Sequence, residues 1–368
     1  MEQPNRPRAR QTPVRALSLR LLLVVPVLLA VATGLLLFLH SDVNVALLYS
    51  QCHARSRLQW LSRIPVVGAP SCFLVSFFQF ALASARSFAV MSVVLSFVAG
   101  LLTVSTVESA RICNGPSVLI AYPTGAWLVF NLLGGAMVWE LVIIPAFLHR
   151  AKRMQAAERT ADPGPGGARD PDVGEARRHL TGVAEVVAIP VAVALGFVVP
   201  SLAMLVLDTP AVIVAWLFFP VYVSLIRQVV RPVAARLVAE HRSLHLESHR
   251  PSLVAVYVVP VACSVLSHGL LAWNLLQADD RKEMTRATLK FIEIDFAFIA
   301  LTVLYWLFVE AGWRVALLTA GAAVLLGPGA GVCVGWHYRE EHFGTVLDHE
   351  DDGDEDATVV GEESPLLP

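Results

Sequence analysis

The sequence predicts an all-α integral membrane protein, a polytopic helical bundle with about eight transmembrane helices. Three observations predict it. Hydrophobic residues make up 56% of the chain and the mean hydropathy is +0.62. Charged residues make up only 16%, against roughly 25% in a soluble domain, which needs that surface to stay in water. Apolar stretches near the ~20 residues that a helix needs to cross a bilayer recur along the chain. Lipid is therefore the main solvent, and a soluble enzyme is excluded.

The stretches run from Leu21 to Leu39, Phe88 to Val107, Ala126 to Leu148, Ala184 to Leu205, Ala211 to Val230, Leu253 to Leu275, Leu289 to Val309 and Val315 to Trp336. Phe73 to Ala83 is apolar but short, and reads as an interfacial or re-entrant helix rather than a ninth span. The first stretch follows a basic segment, and Ala30-Val31-Ala32 mimics a signal-cleavage site. It continues to Leu39, beyond the ~7 to 15 residues of a signal core, so it reads as a retained anchor. Ala151 to Thr181 is hydrophilic and contains Pro163-Gly164-Pro165-Gly166-Gly167. It reads as a linker without secondary structure, dividing the helices into three and five. The expected organisation is a basic segment over 1–20, three helices and the interfacial segment over 21–150, the linker over 151–182, five helices over 183–338 and an acidic disordered tail over 339–368.

Two signals for orientation disagree. With eight spans, 17 Lys and Arg lie opposite the termini and 11 lie on their side, which by the positive-inside rule puts both termini in the lumen. Yet Arg6 to Arg20 flank the first helix, and Glu362-Glu363-Ser364-Pro365-Leu366-Leu367 matches an acidic dileucine signal that only cytosolic adaptors read. The five cysteines show no metal-ligand spacing. Cys52 and Cys72 share a long loop, where free thiols are the simpler reading and a bridge requires a lumenal location.

Ionisable groups inside spans cost ~2.5 to 3.5 kcal/mol on insertion scales, so each asks for a partner or a function. Glu108 closes the second stretch, Glu140 lies deep in the third, Glu185 opens the fourth, Glu293 and Asp295 lie early in the seventh, and Glu310 ends it. Glu185 and Glu310 read as solvated helix ends; Glu140 has no such escape. Glu293 and Asp295 point about 200° apart on a helix, so both cannot face one cavity. Asp295 continues through Thr302 and Trp306, a stripe suited to a cavity, whereas Glu293 continues through Ala297 and Ala300, suited to close packing. Asp295 is therefore the functional candidate, against the simpler reading of an Asp satisfied by a neighbouring helix.

Tyr122, Trp127, Trp139, Trp216, Tyr222, Tyr257, Trp273, Tyr305 and Trp306 lie in or beside spans. Interfacial belts account for some of them. With buried acids they also permit cyclase chemistry, in which a carboxylic acid kept protonated by burial donates a proton and aromatic faces stabilise the carbocation. Asp279-Asp280-Arg281-Lys282-Glu283 has the DDxxE form of magnesium-diphosphate sites. Arg281 and Lys282 within it, and the lack of a second metal motif, make it read as a solvated loop. Gly327-Pro328-Gly329-Ala330-Gly331 is not a phosphate loop, since no strand precedes it and no Gly-Lys-Ser/Thr follows; close packing or a kink explains it. His149, His268 and His337 are not grouped as metal ligands, and Asp348 to Asp356 reads as a solvated acidic end.

Leu101-Leu102-Thr103-Val104-Ser105-Thr106-Val107-Glu108-Ser109-Ala110-Arg111, then Ala121-Tyr122-Pro123-Thr124, then Trp139-Glu140-Leu141-Val142-Ile143-Ile144-Pro145-Ala146-Phe147-Leu148, resembles the membrane-bound terpene cyclases of fungal ascochlorin, ascofuranone and paxilline-type clusters. The resemblance runs from about Leu17 to Glu341 and is most specific between Glu108 and His149. It implies an integral membrane enzyme of secondary metabolism, needing no metal or other cofactor. Such an enzyme protonates a terminal epoxide on a prenylated meroterpenoid or indole-diterpene precursor. It also implies that Glu108 and Glu140 match the family's intramembrane acids, with Asp295 added from the helical stripe. The implied partners are the prenylated epoxide substrate, the lipid bilayer and neighbouring prenyltransferase and epoxidase, with no nucleic acid. The implied location is the endoplasmic reticulum or another endomembrane. The rival from another class is a proton- or cation-coupled transporter, against which stand unequal halves and no matching pair of broken helices.

Overall fold

The computed structural model describes residues 12–41, 43, 48, 68–160, 180–237 and 250–340, and among them every regular element is helical. The helices longer than four residues are α1 Leu19–His40, α2 Gly68–Ala81, α3 Ala85–Ala110, α4 Thr124–Leu133, α5 over 135–160, α6 Ala184–Leu207, α7 Pro210–Leu217, α8 Phe219–Leu237, α9 Arg250–Leu275, α10 Glu283–Ala311, α11 Trp313–Leu326 and α12 over 328–340. By length and composition α1, α3, α6, α9 and α10 can each cross a membrane, and α7 with α8, bent by 58°, make a sixth candidate. The chain is thus an all-α polytopic protein. α2, at 14 residues, is a short apolar helix.

The third and eighth expected spans are instead helical hairpins. In a continuous helix, twelve residues span ~18 Å. The Trp127 and Trp139 rings are 6.1 Å apart between centroids, so α4 and α5 fold back on each other. Gly134 makes that turn with φ +107°, a conformation that side-chain-bearing residues rarely adopt. Likewise a Cβ built on Gly331 would lie 2.6 Å from the Ala323 Cβ, and one on Gly335 would meet the Thr319 side chain. α11 and α12 therefore pack antiparallel about Gly327. The tips reach mid-depth. Asp295, near the middle of α10, bonds the first tip, while Gly329 of the second presses its backbone against Ser96 and Gly100 halfway along α3, an approach only small residues permit.

The feet of both hairpins share one face. Arg150 of α5 and Arg339 of α12 both pair with Glu108 at the end of α3. Eight apolar stretches thus give six candidate spans, because the hydropathy of a hairpin arm equals that of a crossing helix and only the Gly134 and Gly327 turns distinguish them.

Three expected element limits also differ from the structure. α5 continues through 151–160, where Ala151, Lys152, Arg153, Met154, Gln155 and Ala156 are good helix formers. Leu180 is buried and pairs with Arg111 as an isolated antiparallel bridge. Arg339 and Glu340 are buried too, so they belong to the helical body and not to a tail. The basic residues before 12, the stretch 161–179, the acidic run and the dileucine match lie outside the described residues. Cys72 is engaged in a disulfide, against the free-thiol reading. Its proposed partner Cys52 lies outside the described residues.

The Asp279–Glu283 segment is a structural loop between α9 and α10. Asp279 accepts from Arg281 at 2.9 and 3.0 Å, and Asp280 caps α3 by accepting from the backbone N–H of Ala85 (2.6 Å) and Arg86 (3.1 Å). The Arg281 side chain holds Asp279, and the two backbone donors hold Asp280, below the usual carboxylate range. A depressed carboxylate stabilises the fold above its unfolded pKa of about 4, and that contribution is lost as pH falls through the folded value. Asp280→Ala is accordingly expected to lower the apparent melting temperature in detergent at pH 7, with the gap from wild type closing at the acid end. An equal gap at all pH values would show that the carboxylate charge does not hold this loop.

Candidate active site

Glu140 sits on α5, six residues past the Gly134 turn, inside a π-helical turn over Trp139–Ile143. Pro145 follows two residues later and has no N–H to give to the Leu141 carbonyl, which favours the wider turn. The same arrangement recurs at Ala194–Val198 before Pro200. π-turns inside α-helices are frequent at functional sites.

The Glu140 carboxyl is fully buried. Thr33 of α1 donates to its Oε1 at 2.8 Å. Its Oε2 is buried without a hydrogen-bond partner among the described residues, and so are the indole N–H groups of Trp127, Trp139 and Trp306. These rings form a connected aromatic set. Trp127 meets Trp139 nearly edge-on, Trp139 lies 6.3 Å from Trp306, and Phe147 lies 4.2 Å from Trp306. Thr302 of α10 faces the same carboxyl and donates to the Phe298 carbonyl at 2.7 Å. The site is a buried acid with hydrogen-bonding capacity to spare, in the same turn as Trp139 of the aromatic set. That combination can transfer a proton to a guest and shelter the cation that results.

Asp295 is near this acid, but both its oxygens are engaged. Oδ2 accepts the Gly135 N–H at 3.1 Å and Oδ1 accepts the Ala136 N–H at 2.9 Å. The simpler reading, an Asp satisfied by a neighbouring helix, describes its contacts. The predicted stripe is real: Thr302 and Trp306 are buried and face α5. Glu293 and Ala297, in contrast, are exposed, and of that stripe Ala300 is half-buried against the core.

Glu108 lies elsewhere, at the face that carries the hairpin feet. Its Oε1 accepts from Arg111 (3.2 Å), Arg339 (3.1 Å) and the Trp336 indole (3.2 Å), and its Oε2 accepts from Asn114 (3.2 Å). Arg150 stands 3.8 Å from Oε2. Arg339 also pairs with Glu310 at 2.6 Å and Glu340 at 3.1 Å, and Arg111 with Glu340 at 2.5 Å. Three carboxylates and three guanidiniums thus close one buried network. Glu310 is not a solvated helix end, and neither is Glu185, which is buried and held by Arg227 through two bonds of 2.8 and 3.0 Å. Trp306 and Trp336, 4.4 Å apart, connect the aromatic set to this network, where Arg339 lies 4.7 Å over the Trp336 ring. Sequence reasoning passed over Arg111, Arg150, Arg339 and Glu340. The signals were Glu108 and Arg111 at i, i+3, and a charged pair closing the last apolar stretch.

The sequence model of the CtvD domain matches residues 63–278, more than half of the chain. The chain belongs to the CtvD-domain family. No curated protein and no solved structure matches it. The CtvD-domain match holds the α3 network residue Glu108, the first hairpin and Glu140, while Thr33, Asp295, Thr302 and Trp306 come from flanking segments.

Proposed function

We propose that this protein is a membrane enzyme of fungal secondary metabolism that opens an epoxide on an apolar, prenylated precursor by protonation from Glu140 and so starts a cyclisation. The family's name comes from a protein of a fungal secondary-metabolism cluster, which supports the biosynthetic setting. The observation that carries the reading is the Glu140 carboxyl, fully buried and bonded through one oxygen to Thr33, its other oxygen without a hydrogen-bond partner among the described residues, in the same turn as Trp139 of the aromatic set.

The carboxyl O–H gives its proton to the epoxide oxygen as the C–O bond to the more substituted carbon breaks. The oxygen becomes a hydroxyl and the carbon a cation. A neighbouring alkene supplies its π pair to form the ring bond and passes the cation along the chain, where the faces of Trp139 and Trp306 stabilise it. Loss of a proton from the last cation completes an isomerisation, and Glu140 is reprotonated with no net proton consumed. On this reading the protein resides in the endoplasmic reticulum or another endomembrane, and a prenyltransferase and an epoxidising enzyme precede it. The test is co-expression with an epoxidised prenylated precursor in a host lacking such chemistry. A ring-closed isomer that requires Glu140 is expected; recovery of the epoxide unchanged would sink the reading.

Proton-coupled transport is a second reading, which the two hairpins favour because broken helices at membrane depth also mark transporter sites. Against it, the hairpins enter from the same face rather than as an inverted pair. Moreover, the N-terminal end of α5, the natural anion seat, is occupied by Asp295. Uptake driven by a proton gradient in proteoliposomes would favour this second reading.

A further inference from the structure

We propose that Asp295 is a positioning residue that acts on the chemistry through Glu140; the inference rests on the proposed role of that acid. The α4–α5 hairpin enters from one face and ends in mid-membrane, where its return arm begins with backbone N–H groups that have no intrahelical partner. Two of them, on Gly135 and Ala136, are taken by the two oxygens of Asp295. A carboxylate at that end is also favoured by the helix dipole. The cap is local: it fixes the first turn of α5, and Glu140 lies in the next turn, where the helix widens. α10 then grips the same arm twice more on one stripe, through Thr302 facing the Glu140 carboxyl and Trp306 against Trp139 and Phe147. Asp295, Thr302 and Trp306 at i, i+7 and i+11 thus form a rail along which α5 is registered. Gly135 lies close against α10, where a Cβ would meet Ile299 at 2.7 Å and the Phe130 ring at 2.5 Å.

Asn keeps one acceptor oxygen where Asp295 offers two, and Ala keeps none. In purified full-length protein turning over an epoxidised prenyl substrate, Asp295→Asn is expected to keep kcat within ~10-fold of wild type with an unchanged pH profile. Asp295→Ala should lower kcat by ~10²-fold with KM little altered, the effect of a displaced acid. Hydrogen exchange over 132–140, read by mass spectrometry, should quicken most in Asp295→Ala and less in Asp295→Asn, whether or not the protein is turning over substrate. Unchanged exchange and kcat in Asp295→Ala would overturn the proposal. So would an Asp295→Asn variant as inactive as Glu140→Gln with unaltered exchange, which would make Asp295 itself the acid. Failure of the functional reading looks different: Glu140→Gln would then turn over normally.

A different observation carries a second inference: we infer that the face bearing the hairpin feet is cytosolic. With six spans and two hairpins, the described ends Leu19, Ala110, Leu180, Leu237, Pro251 and Glu340 and both pairs of feet share one face. Assigning each Lys and Arg of the sequence to the side its flanking helices dictate puts 20 on that face and 8 on the other, a bias that marks the cytosol. Cys72 precedes α3 on the opposite face, and its disulfide fits an oxidising lumen. The conflict between the basic N-terminus and the loop charges came from counting hairpins as spans. Glycosylation acceptors inserted after residue 42 and after residue 345, in separate full-length proteins, test it. Modification of the first alone is expected; modification of the second alone overturns the inference.

Discussion

Glu140→Gln is expected to leave a folded, membrane-inserted protein whose product formation falls by ~10² to 10⁴, the range of general acid catalysis. Glutamine keeps the shape of the side chain and can still accept from the Thr33 hydroxyl. It lacks only a proton acidic enough to open an epoxide. Because the carboxyl is fully buried and makes one hydrogen bond, the neutral amide should cost little stability, so expression and thermal melting should stay near wild type. The measurement is turnover per folded molecule, with the folded fraction taken from size-exclusion chromatography in detergent. Normal turnover would remove Glu140 from the mechanism and, with it, the chemical basis of the cyclase reading.

Glu108→Gln should do the opposite. Its carboxylate is fully buried and joins helix α3 to Arg111, Arg339, Trp336 and Asn114, with Arg150 close by. Deleting one partner of a buried ion pair leaves an uncompensated charge, at a cost of about 3–5 kcal/mol. The expected result is a large loss of heat-stable protein, while the surviving folded molecules turn over substrate at nearly the wild-type rate. Replacing Arg339 by Met in the same chain should cost less than the two single changes added together, because the orphaned charge is then removed too. A Glu108→Gln variant of wild-type stability that has lost turnover would return Glu108 to the chemistry.

Composition alone was enough for the fold class, because a backbone that must satisfy itself in lipid has few solutions. The number of crossings was not legible. Ala126 to Leu148 and Val315 to Trp336 have the length and hydropathy of spans, and what turns them back is a single glycine conformation in each. Glu140 was legible for a simple reason: a carboxyl so deep in an apolar stretch cannot reach water. The partners of Glu108 and Glu310 were not, since Arg339 and Glu340 are far away in sequence and look, by charge alone, like the start of a soluble tail. Asp295 and Thr302 were correctly set on one stripe, but the donors of Gly135 and Ala136 that occupy Asp295 come into existence only because the chain turns at Gly134.

The two hairpin tips impose a rule on how the molecule can open. At Gly134 and Gly327 the chain leaves the helix in the middle of the bilayer, where uncovered backbone polar groups cost several kcal/mol each. A tip that swung out among acyl chains would incur that cost at once. Any motion of either hairpin must therefore keep its tip under protein cover.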